Sequence, residues 1–117
     1  MPRARSSASS NRRSLEPAGF VSILQIDLHF PDAGSLKDKR RELAPVKAHL
    51  RQRVGASVAE VGHQDRWQRA TLVASLVAGS TLPLEEAADR LQGWLDARFP
   101  HGARVQCTVT SLRDLEG

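Results

Sequence analysis

Ser35, Lys37, Lys39, Arg40 and Arg41 stand within seven residues of one another, and their types together suit an anion. Ser35 precedes a helical pattern and Asp38 follows it by three residues. That is a capping box with Asp in place of Glu or Gln, so the helix is predicted to start at Leu36. A helix start offers unpaired N–H groups and a partial positive charge, the preference of a phosphate. Lys and Arg oppose the helix dipole at this end. The run therefore reads either as a set of phosphate contacts or as the solvated face of an amphipathic helix.

A second polar group, Glu60, His63, Gln64, Asp65, Trp67 and Arg69, follows later in the chain. His29, His63, Asp65, Glu60 and His101 have metal-ligand types, but no HxH, HxxxH or CxxC spacing joins them, and neither a metal nor a cofactor is expected. Glu60 with Asp65 could form a carboxylate pair for acid–base work. No activated nucleophile or glycine-rich phosphate loop accompanies it, so an enzyme is not expected and no small-molecule substrate is identified. Trp67 beside Arg69 suits base stacking or a hairpin anchor packed over the core edge, and the anchor is preferred. The single Cys107 excludes an internal disulfide and, in a strand-like stretch, reads as a small core residue.

The elements that must position these residues follow from periodicity. Residues 20–30 alternate, with Phe20, Leu24, Ile26, Leu28 and Phe30 on one face and Gln25, Asp27 and His29 on the other: a half-buried strand. The helix from Leu36 carries Leu43, Val46, Leu50 and Val54 as an apolar stripe and ends at Gly55. Pro45 falls inside it, and a bend near Arg41 is expected. Residues 56–64 and 68–79 read as two further strands. Pro83 and Glu85 open a second helix with Leu84, Ala88, Leu91, Leu95 and Phe99 inward, and residues 103–112 read as the last strand.

The order βαββαβ packs most economically as an α+β, ferredoxin-like fold, a four-stranded antiparallel sheet with both helices on one face. That topology brings the turn at residues 29–35, the hairpin at residues 62–67 and His101 to one edge of the sheet. The open face would carry Val21, Ile23, Gln25, Arg69, Thr71 and Val73, none aromatic, which disfavours base reading on the sheet face. Its apolar members, with Val77, would suit a homodimer or a docked partner.

Residues 1–19 are Ser- and Arg-rich without an apolar run and read as a disordered basic tail, leaving residues 20–117 as one domain. No signal peptide or membrane span is recognisable, and a cytoplasmic location is expected. The net charge of +4 is carried by the tail (+3) and by residues 37–53 (+5), against −2 each for residues 20–36 and 54–117. A polyanion would meet the tail and the first helix.

With SLKDKR at 35–40, SVAEVGHQD at 57–65 and WQRAT at 67–71, the chain resembles the YlxP-like family, a small bacterial domain of unknown function with a ferredoxin-like fold. The resemblance covers residues 20–112. Members of that family are encoded near genes for translation and ribosome maturation, which implies a role with RNA; no family catalytic residues are established, so none is carried over. The leading expectation is a non-catalytic RNA- or ribosome-associated module. Ser35, Lys37, Lys39, Arg40 and Arg41 would then hold phosphate, with the 60–69 group shaping the neighbouring edge. A protein-interaction module using the open sheet face is the alternative, and a small-ligand-binding protein or enzyme the third. Under the first reading, exchanging Lys39 and Arg40 for neutral residues should barely change stability.

Overall fold

Alternation over ten residues makes the central strand β1, Phe20–His29, in the computed structural model, which describes residues 17–116. Helix α1 follows, Leu36–His49, and passes through a π-helical turn at Leu50–Val54. Then come β2 (Ser57–Gly62), β3 (Arg69–Ala78), α2 (Leu82–Arg98), β4 (Ala103–Ser111) and a short α3 (Leu112–Glu116). The sheet is antiparallel throughout with the order β2-β3-β1-β4. All but the last three residues of the expected tail lie outside the described residues.

Register decides which residues share a face. Leu24, Ile26 and Leu28 of β1 stand opposite Ala74, Leu72 and Ala70 of β3. All six are buried, in one cluster with Leu43, Val46 and Leu50 from the first helix and Leu91 and Leu95 from α2. Each fully buried leucine contributes about 1.5–3 kcal/mol. Phe30 and Phe99 close the core at the loop end, ring edge to face at 5.5 Å between centroids. The intervening β1 residues face away from the helices. The expected open-face set is realised: Gln25 opposes Val73, Asp27 opposes Thr71, and His29 opposes Arg69.

Two glycines set the course of the chain. Gly55, at φ 79°, ends the π turn in the left-handed region, its N–H donating to the Leu50 carbonyl. At the β2 edge the register passes from Glu60↔Leu72 to Gly62↔Thr71, so Val61 is the extra residue of a bulge. A Cβ at Gly62 would stand 3.2 Å from the Thr71 Cβ, so a side chain at this closely paired position would require Thr71 to shift by a few tenths of an ångström.

Two details depart from the sequence reading. Cys107 is exposed rather than part of the core. It lies on an outer strand, where the Cys107 thiol is raised by partial burial and by the Glu85 and Asp89 carboxylates. The chain also turns helical after Ser111, whose hydroxyl accepts from Asp114 N–H at 3.0 Å, while Leu112 N–H donates to the Gly19 carbonyl at 2.7 Å.

The helices also meet through a ring stack. His49 lies 3.8 Å from Trp94 between centroids, nearly parallel, and the Arg98 guanidinium sits 5.4 Å over the same indole. Partial burial, reinforced by the Arg53 charge, holds the His49 imidazole below its ordinary 6.5. The unfolded chain therefore takes up this proton more readily than the folded one. The resulting stability is complete above the unfolded value and is lost as pH falls through the folded one. His49→Phe should keep the stack and show a shallower fall in melting temperature from pH 7.5 to pH 5. Identical falls would show that the imidazole does not contribute.

Candidate functional site

At the start of α1 the predicted cap forms. Ser35 Oγ accepts from Asp38 N–H at 3.0 Å, and Asp38 Oδ2 accepts from Gly34 N–H at 3.0 Å. The helix end thus already holds a carboxylate, which weakens it as a site for a second anion. Arg41 lies 3.7 Å from the same carboxylate in an exposed pair of small energetic weight. Lys37 and Arg40 are exposed.

Lys39 corrects the sequence reading most sharply. It is 2% exposed, and its Nζ reaches Glu60 Oε2 at 3.0 Å, His63 O at 2.9 Å and Arg69 O at 3.1 Å. All three ammonium protons have acceptors, with Gln64 O further off at 3.5 Å. No donor remains for a phosphate, so Lys39 belongs to the interior. The reason is its position, four residues before Leu43 and seven before Val46, which puts it on the buried stripe of the helix. Glu60 is likewise committed, held on the core-facing side of β2 opposite Leu72, so it is not half of a free acid–base pair with Asp65.

This buried cation organises the hairpin between β2 and β3. His63 adopts φ 59°, and its carbonyl accepts from both Lys39 Nζ and Arg66 N–H, the latter at 2.9 Å. On the other side Phe30 N–H donates to Gln68 O at 2.8 Å, and the Gln68 amide reaches Pro31 O and Ala33 O at 3.2 and 3.4 Å. The loop is therefore pinned to α1 and to the end of β1.

Against the pinned hairpin, the open sheet face forms a groove of about 550 Å³. His29, His63, Arg69, His101 and Arg104 line it with Asp27. His101 arrives at the edge where topology placed it. Asp27 is occupied, accepting from Thr71 Oγ1 at 2.8 Å and from Gln25 Nε2 at 3.2 Å. Arg104 stands opposite Asp27 in the β1–β4 register, yet among the described residues neither its guanidinium nor that of Arg69 makes an ion pair or hydrogen bond. A second groove of about 350 Å³ adjoins the first, sharing His29 and Arg69 and adding Asp65, Arg66, Trp67 and Gln68. Trp67 is 51% exposed there, not packed over the core edge as the preferred sequence reading had it. The three groove histidines do not converge: among the described residues no group of three metal-ligand side chains has the geometry to hold an ion.

The structure brings His63, Trp67 and Arg69 of the expected hairpin group to these grooves, with Asp65. It withdraws Lys39 and Glu60 and leaves Ser35 engaged as a cap. Gln64 turns back instead, its amide on Glu60 O at 3.3 Å. Arg104 was missed. The only signal for it was the polar alternation Arg104, Gln106, Thr108 of the last strand, which needs the β1–β4 register before it can be placed beside His29. Among the described residues no helix is long and apolar enough to cross a membrane.

Residues 21–108 match the family model described as "Protein of unknown function (DUF503)". The chain is 33% identical over 91 residues to "Uncharacterized protein YlxP" of Bacillus subtilis (strain 168), an alignment covering 78% of this chain and 95% of that protein. Among solved structures it is similar to "De novo designed protein Foldit4", at a TM-score of 0.51 and 11% identity, over 79% of this chain and 96% of the designed one. At that identity the likeness concerns the fold alone.

Proposed function

Taking as premise that the chain belongs to the DUF503 family, we propose that it is a non-catalytic RNA- or ribosome-associated binding module. Its contact surface would be the cationic groove at the hairpin edge of the open sheet face. The observation that carries this is the pair Arg69 and Arg104, two guanidiniums that line one groove of the sheet and are unpaired among the described residues. Guanidinium forks suit phosphate oxygens, and cations without internal partners are free to meet them. Lys37, Arg40 and Arg41 add positive charge along the neighbouring helix start and would favour encounter with a polyanion. The consumption of Glu60 by Lys39 supports binding over acid–base chemistry. The strand order with a helix in each crossover supports a ferredoxin-like reading of the fold, and a cytoplasmic location accompanies the RNA reading.

Sedimentation with ribosomal subunits and with naked RNA across a salt series tests this. Binding at low salt that falls steeply as salt rises is the expected result, because phosphate contacts release counterions. Absence of binding at low salt would sink the proposal. One observation favours a second reading, docking through the far half of the open face, where Ile23 is 44% and Val77 77% exposed. Apolar docking or homodimerisation would persist at high salt, and light scattering at high protein concentration separates the two.

A further inference from the structure

We infer that the ligand of these grooves is a single-stranded rather than a duplex segment of RNA, with one base stacked on Trp67 and an adjoining phosphate between Arg69 and Arg104 beside His29. This rests on the nucleic-acid reading above and names the form of nucleic acid the site would accept. Three observations lead to it. An indole is a large apolar surface, and one left half exposed in a mobile loop would mean little. Here Trp67 sits in a hairpin held by Lys39 from one side and by Gln68 from the other, so its exposure is built into the fold.

Secondly, the aromatic groove and the cationic groove are continuous. They share His29 and Arg69, so a ligand lying across both would meet an indole face and then guanidiniums in succession. A single strand offers that alternation, a base with a free π-face followed by a phosphate. A duplex keeps its bases stacked and presents phosphates without an exposed base face for the indole. Thirdly, Arg66 lines the aromatic groove itself, and among the described residues its guanidinium is also unpaired, leaving a cation free to meet a second phosphate or stack on a base.

The site differs from the sheet-face arrangement in which aromatics on the central strands read the bases. Here the strands supply the charges and the hairpin supplies the aromatic. One stacked base and a short run of phosphates make a small site with weak sequence preference.

The full chain carrying Trp94→Phe, which leaves Trp67 as the sole indole, is titrated with oligoadenylate and with an RNA duplex of equal length. Indole fluorescence and an independent binding signal are followed, with heparin as a base-free polyanion. The single strand should quench Trp67 saturably, while heparin should bind with little quenching. Trp67→Ala should weaken single-strand binding on the order of tenfold more than it weakens duplex binding, the usual effect of losing one stacked base. Should that variant fail to fold, quenching in the Trp94→Phe protein decides alone. Equal affinity for single strand and duplex without quenching by the single strand would overturn this inference and leave the polyanion reading standing. Failure of all three ligands to bind at low salt would overturn both.

Discussion

Lys39→Met should lower the free energy of unfolding by about 3–5 kcal/mol, the range for breaking a buried ion pair by removing one partner. Methionine fills most of the volume of the lysine stem, so the packing loss is small and the electrostatic loss dominates. Glu60, with its side chain 19% exposed, would keep a carboxylate without its cation. The carbonyls of His63 and Arg69 would lose a donor at 2.9 and 3.1 Å in the same step. Arg40→Gln, one residue along, should change stability by no more than about 0.5 kcal/mol, because that side chain is exposed. Adding Glu60→Leu to Lys39→Met should recover part of the loss, by removing the orphaned charge, but not the part due to the two carbonyls. Urea unfolding of the four proteins measures this. If Lys39→Met and Arg40→Gln unfold at the same midpoint, the lysine is not the staple of the hairpin.

Lys39 also shows where sequence reading stops. Its place on the stripe with Leu43, Val46 and Leu50 was visible, but its charge type grouped it with Lys37, Arg40 and Arg41. A buried lysine is rare enough that composition outweighed position. What is local was legible: the Ser35–Asp38 cap, the Gly55 stop, the alternation of β1. Each rests on residues a few positions apart. Faces were legible too, since alternation and strand pairing together assign Gln25, Thr71 and Val73 to the open side. Coverage was not. Cys107 shares a face with core residues, yet it sits on an outer strand and stays exposed. Nor could the exposure of Trp67 be read, because a turn has no periodicity to say which way a side chain points. It depends on contacts from residues far off in the chain, Lys39 to the His63 and Arg69 carbonyls and Gln68 to the Pro31 carbonyl among them.

The groove makes the second large effect. Arg69→Gln combined with Arg104→Gln should weaken RNA binding on the order of ten- to a hundredfold at low salt. It should also make the dependence of log affinity on log salt shallower by about 1.4, if each arginine neutralises one phosphate of a single strand. Stability should stay within about 0.5 kcal/mol of the parent, since both side chains are exposed and neither has a partner to lose among the described residues. This separates the pair from Lys39, whose loss would weaken binding only by releasing the hairpin and would be accompanied by a lowered melting point. Lys37→Gln with Arg40→Gln is the informative comparison: the same two charges removed from the helix start, where Asp38 already occupies the cap. Long-range attraction alone would give both double variants the same modest loss, vanishing beyond about 0.15 M salt as screening sets in. Direct contact gives the groove variant a larger loss and a flatter slope than the helix variant. A groove variant that binds like the parent, with an unchanged slope, would remove Arg69 and Arg104 from the contact surface and leave the apolar half of the sheet as the place to look.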